Sequence, residues 1–96
     1  MRKVRHRSVT ISNASESEIL PEGGQRVGIV FSPPSANAYE VNFTDPAVLG
    51  TGIRIAAGTK PFEMFFDRYG SEIKGSVRAI ADTAPVTVGI TEVLES

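Results

Sequence analysis

The sequence predicts an all-β protein, a small antiparallel β-sandwich or barrel of about seven or eight short strands. Apolar and polar residues alternate in stretch after stretch, which is the period of a half-buried strand. Clusters of Gly, Pro, Asn and Ser separate those stretches at short intervals. No stretch has the spacing of an amphipathic helix of ordinary length.

The clearest pattern runs from Ser76 to Glu92. Val77, Ala79 and Ala81 alternate with Ser76, Arg78 and Ile80, and Val86, Val88 and Ile90 alternate with Thr87, Gly89 and Thr91. Between them Asp82-Thr83-Ala84-Pro85 is a turn, because Asp bonds to its own backbone and Pro fixes φ. The pair is expected to form a hairpin.

Taken from the start, residues 1–7 read as a basic arm, with the body in residues 8–96. Arg5, Arg7, Val9 and Ile11 alternate with Val4, His6, Ser8 and Thr10, so a strand is expected from about Arg7. The polar run from Asn13 to Glu18 precedes a short strand at Ile19-Leu20, and Pro21-Glu22-Gly23-Gly24 breaks the chain. From Gln25 to Phe31 the expected inner face carries Val27, Ile29 and Phe31, while Gly28 leaves room for a close neighbour or a bulge. Tyr39, Val41 and Phe43 form the dry face of the next strand, with Glu40 and Asn42 on its wet face.

The connection from Thr44 to Gly52 has room for one helical turn capped by Asp45, with Pro46 at its first position. A short strand at Ile53–Ile55 is expected to pair with a longer one at Pro61–Asp67 through the turn Ala56–Lys60. Phe62, Met64 and Phe66 share one face there, and Phe65 lies on the other. Arg68 to Glu72 turns the chain back.

At 96 residues the chain suits one domain. A domain of this size buries only about 60–65% of its unfolded surface, so association with a partner would add needed stability. It has no cysteine, hence no disulfide staple and no thiolate metal site. No apolar run is long enough for a membrane helix, and the basic start lacks the apolar core of a signal peptide. Synthesis in the cytosol is expected. Charge is uneven: Arg2, Lys3, Arg5 and Arg7 precede a body with six basic and eleven acidic side chains. Such polarity suits docking on an acidic surface or on a neighbouring copy.

Catalytic patterns are missing. His6 is the single histidine, in a basic segment without a marked carboxylate or nucleophile. Asp45, Asp67 and Asp82 stand near turns, without the spacing of a calcium loop. The glycines at 23 and 24, or 50 and 52, do not lead from a strand into a long helix with a Lys, so turn geometry explains them. The reading is a protein that is no enzyme, with no catalytic, cofactor or metal residues. Nucleic-acid binding by a small barrel would use the same basic residues beside exposed aromatics. Here Phe31, Tyr39, Phe43, Phe62 and Phe66 alternate with polar residues and read as core.

The layout as a whole resembles the small β-sandwich virion proteins of tailed bacteriophages. The residues that carry the resemblance are the basic start running to Ile11-Ser12-Asn13, then Gly52-Ile53-Arg54-Ile55, Gly58 and Phe62-Glu63-Met64. It continues through Val77-Arg78-Ala79-Ile80-Ala81 and Val86-Thr87-Val88-Gly89-Ile90-Thr91-Glu92. The resemblance implies a virion structural protein, a capsid decoration or cement protein that binds the major capsid protein and stabilises the head. A tail- or head-fibre-associated virion protein is the variant reading, and a small nucleic-acid-binding barrel or a regulatory interaction module stays open beside it. Arg2, Lys3, Arg5 and Arg7 would dock, anchored by Val9 and Ile11. The expected partners are the capsid shell and further copies of the chain, a trimer foremost, with neither membrane nor nucleic acid among them. The expected location is the virion.

Overall fold

The computed structural model describes every residue except Met1, Thr44, Asp45, Thr59 and Ser96. Eight strands appear among the described residues: β1 (Arg2–Ile11), β2 (Ser17–Leu20), β3 (Arg26–Phe31), β4 (Tyr39–Phe43), β5 (Ile53–Ile55), β6 (Phe62–Phe65), β7 (Val77–Ala81) and β8 (Val86–Glu95). A helical turn α1 (Phe66–Tyr69) and a 3-10 turn (Gly70–Lys74) connect β6 to β7. The strands form two four-stranded sheets, ordered β1-β8-β3-β6 and β2-β7-β4-β5, and every pairing is antiparallel. This is the expected all-β sandwich.

Alternation builds the core. Ile11, Ile29, Phe31, Val88 and Ile90 point inward from the first sheet, and Leu20, Tyr39, Val41, Val77 and Ala79 from the second. Fully burying a large apolar side chain stabilises the fold by about 1.5–3 kcal/mol. Phe62 closes one side against Phe31 and Tyr69, with ring centroids 6.4 and 6.5 Å away. The Tyr39 hydroxyl donates to the Ser32 carbonyl at 2.9 Å, and burial pushes its pKa up.

Several local expectations change. The stretch 76–92 is not a hairpin: β7 pairs with β2 and β4, whereas β8 pairs with β1 and β3. Its turn carries the chain from one sheet to the other. Two strands that each have one apolar face can meet across a core as well as side by side, and alternation does not distinguish these. The same holds for β5 and β6, which lie in different sheets.

The strand expected over Pro61–Asp67 stops at Phe65, and Phe66 begins α1 with 44% of its surface exposed. In the connection before β5, residues 46–52 hold turns and no helix, and the proposed cap Asp45 lies outside the described residues, as does Thr59 of the next turn. Glu40, expected on a wet face, is 3% exposed. Its carboxylate accepts from the Gly50 and Gly52 N–H groups at 2.9 and 3.2 Å and from Arg54 at 3.2 Å. A register shift between Arg26 and Gly28 turns Arg26 inward and leaves Val27 half-buried. Gly28 does admit a close neighbour: a Cβ there would lie 2.6 Å from the Phe65 ring.

Candidate functional site

The basic segment is strand from Arg2 onward, five residues ahead of the expected start. All ten residues of β1 pair with β8, from Arg2 opposite Glu95 to Ile11 opposite Val86. The cause is on β8, which continues past Ile90 to Glu92 and Glu95 and so offers carboxylates to the arginines beside it. Ion pairing replaces apolar burial as the reason for the strand to continue.

The inward-phased residues Arg5, Arg7, Val9 and Ile11 have graded environments. Ile11 is fully buried and Val9 packs on the core. Arg7 is part-buried, and its Nε donates to Glu92 Oε1 at 2.7 Å. Arg5 is exposed, its Nη1 3.9 Å from the same oxygen. On the outer face Arg2 donates to Glu95 at 3.1 Å. Lys3 is exposed, and the His6 ring and Thr91 hydroxyl lie 2.9 Å apart.

Glu92 is the centre of this group, yet it lies well away in sequence and is only 2% exposed. Besides Arg7 it meets the wholly buried Arg26, whose Nε and Nη2 both lie 3.0 Å from Oε2. Burial raises the Glu92 pKa, but hydrogen bonds from Arg7 and Arg26 and their charges outweigh it, and the net shift is downward. Arg26 spends its other donors on backbone carbonyls: Nη1 on Ile73 at 3.1 Å and Gly75 at 2.9 Å, Nη2 on Pro21 at 2.5 Å. It therefore ties the Pro21 loop, the 3-10 turn and β8 together at one end of the sandwich.

Three guanidiniums surround one carboxylate, which leaves positive charge in excess. Arg5, Arg7, Arg26 and Glu92 line a shallow pocket of about 270 Å³ with the loop 21–25. An ionised, saturated Glu92 is unsuited to general-base work, whereas a surface with surplus guanidinium suits a carboxylate from a partner. From sequence, Glu92 reads with Glu95 as a solvated carboxylate pair in a polar segment and Arg26 has no marked role, whereas both are buried here. One signal for Glu92 was available, since it falls in phase with Val86, Val88 and Ile90 on the buried face.

Elsewhere Arg54 and Arg78 are engaged, and Arg68 is exposed. Arg78 holds Glu16 by two hydrogen bonds of 2.6 Å, and Arg54 bridges Glu40 and Asp82. A cleft of about 410 Å³ lies between β4, β5 and the 3-10 turn, and Asn42 Oδ1 beside it is buried without a partner among the described residues. No group of three or more His, Cys, Asp or Glu side chains fit to hold a metal occurs among the described residues.

No protein-family model and no curated protein matches the chain. Among solved structures it is similar to a protein from work described as "Bacillus endospore appendages form a novel family of disulfide-linked pili", at 15% identity, covering 98% of this chain and 89% of that one, with a TM-score of 0.49.

Proposed function

We propose that this protein acts by binding and not by catalysis, as a structural component that docks on a protein assembly through β1. Within that class we propose a capsid decoration protein that attaches to a phage head shell. The observation that carries the docking reading is the ten-residue strand at a sheet edge, bearing Lys3 and Arg5 beside a pocket with surplus positive charge. Such a strand supplies unpaired backbone groups for added-strand contact and cations for an acidic partner. The phage assignment is supported by the sequence layout alone. Nucleic-acid binding is the weaker reading physically, since Phe31 and Tyr39 are buried and Arg54 and Arg78 are held by carboxylates.

Density-gradient separation of a lysate of the source, followed by mass spectrometry, tests the proposal. Banding with DNA-filled particles at a fixed ratio to the shell protein is the expected result. Recovery only among free soluble proteins overturns the virion assignment.

A further inference from the structure

The bonds that β8 makes on its far side determine which backbone groups of β1 are open. In an antiparallel strand the N–H and C=O of one residue point to the same side, and the side alternates along the chain. The Gly89 carbonyl accepts from the Ser32 N–H at 3.0 Å, and the Glu95 N–H donates to the Gln25 carbonyl at 2.7 Å. Both residues of β8 thus turn toward β3. Ser8 and Arg2, which stand opposite them in the register, turn their own groups away from β8, and by alternation so do Val4 and His6. β1 is the last strand of its sheet, and no backbone partner outside the ladder meets Val4, His6 or Ser8 among the described residues. Past Ile11 the chain closes over, where the Ser12 carbonyl accepts from the Ala81 N–H at 2.9 Å. The stretch from Arg2 to Ser8 therefore presents a row of outward N–H and C=O groups, which an incoming strand completes.

Charge selects what that strand carries. Lys3 and Arg5 lie on one face, in phase with Arg7, Val9 and Ile11, and both are exposed. Arg5 is 3.9 Å from a carboxylate that Arg7 and Arg26 already engage. Lys3 has no ion pair among the described residues, and Glu22, which borders the same pocket, pairs with neither cation. Arg2 is spent on Glu95 on the opposite face. Between the two cations, also on the opposite face, Val4 is 57% exposed. A second copy of β1 laid antiparallel over this stretch would set Lys and Arg beside Lys3 and Arg5, and like charges across a strand pair are destabilising.

We propose that β1 takes up an extended acidic segment of its protein partner as an added antiparallel strand, with carboxylates at two alternate positions beside Lys3 and Arg5 and an apolar residue between them beside Val4. This rests on the reading of β1 as the docking element and names what docks there. Partner residues opposite Val4 and His6 exchange backbone hydrogen bonds with them. Those opposite Lys3 and Arg5 form the non-hydrogen-bonded pairs, whose Cα atoms approach to about 4.5 Å, the closer of the two spacings. Carboxylates at those positions reach the cations, so the backbone supplies affinity and the alternation supplies specificity.

The test is calorimetric titration of the full chain with capped peptides, carried to about 1 mM. Thr-Thr-Glu-Val-Glu-Thr-Thr has the proposed spacing, and Thr-Thr-Val-Glu-Glu-Thr-Thr has the same composition and charge with the spacing lost. The first is expected to bind, the second at least tenfold more weakly. Methylating the valine amide nitrogen of the first should weaken it at least tenfold on the unaltered protein. Val4→Pro should do the same, because it removes an outward N–H at an edge, where proline is tolerated; circular dichroism and melting temperature check its fold. Co-sedimentation with particles separates this proposal from the reading beneath it. Loss of attachment both in Val4→Pro and in the double variant Lys3→Glu with Arg5→Glu is expected. Attachment kept by Val4→Pro and lost by the double variant overturns strand addition while leaving docking through β1 in place, and attachment kept by both overturns docking through β1 as well. Equal affinity for the two peptides, indifference to amide methylation, or no binding of the first peptide overturns the proposal.

Discussion

Arg26 and Glu92 form a buried ion pair, with the guanidinium Nε 3.0 Å from Oε2, in a sandwich whose other inward side chains are largely apolar. Removing one partner strands a charge in a poorly solvated place, which costs about 3–5 kcal/mol, whereas replacing both with apolar groups of similar volume costs much less. Arg26→Met should therefore lower stability by about 3–5 kcal/mol in urea unfolding. Arg26→Met combined with Glu92→Leu should lose less than the sum of the single variants. Additive losses would mean that the backbone carbonyls, and not Glu92, are what Arg26 serves.

Acid should unfold the protein through two carboxylates. Hydrogen bonds from Arg78 and the Ala47 N–H hold Glu16 at about 2, against an ordinary value of 4.5. Glu92 is also held low, its arginine partners outweighing the effect of burial. A carboxylate whose folded pKa is depressed stabilises the fold fully above its unfolded value and ceases to do so as pH falls through the folded value. Melting temperature should thus be level above about pH 4.5 and fall between there and about pH 2. Glu16→Gln should lower it at neutral pH and make the acid limb shallower. An unchanged limb would remove Glu16 from the acid response.

Alternation made the eight strands legible because burying one face of a sheet forces a period of two. It could not assign partners. Val77–Ala81 and Val86–Ile90 carry the same pattern whether they pair or lie in opposite sheets, and they lie in opposite sheets. The role of the basic start was half legible: the phase of Arg5 and Arg7 with Val9 and Ile11 was visible, but the carboxylate they meet is supplied by a residue more than eighty positions away. Glu40 was misread because its partners are backbone N–H groups of a turn, which composition does not reveal. Gly28 marks the place of the β3 bulge, but nothing in the sequence shows that the bulge turns Arg26 inward.

Two glycines should respond differently to a methyl group. A Cβ at Gly28 meets the Phe65 ring at 2.6 Å, an end that can rotate away, so Gly28→Ala should cost about 1–3 kcal/mol and be partly relieved by Phe65→Leu. A Cβ at Gly52 meets Asn42 Oδ1 and the Val41 carbonyl oxygen, the latter at 2.6 Å, and a backbone atom within a strand has nowhere to go. Gly52→Ala should be the more destabilising of the two, and Asn42→Ala should not rescue it. Equal losses in thermal melts would show that the β4–β5 edge relaxes as freely as a side chain.

The basic strand separates docking from folding, because its cations differ in how far they serve the fold. Lys3 and Arg5 are exposed, and Arg5 stands 3.9 Å from the buried Glu92, beyond hydrogen-bond distance, so this contact contributes no more than a surface pair, about 0–1 kcal/mol. Arg7 is part-buried on the same carboxylate at 2.7 Å, and a negative side chain there would face Glu92 directly. The double variant Lys3→Glu with Arg5→Glu should therefore keep nearly the parent melting temperature while abolishing attachment to purified particles. Arg7→Glu should unfold the end of the sandwich and lose attachment only as a consequence. Deleting residues 1–7 would be a poor substitute, since it removes six residues of β1 that pair with β8 and exposes the edge of β8. Co-sedimentation with particles, alongside melting curves, reads both effects. Attachment that survives the double charge reversal would move the docking site away from β1.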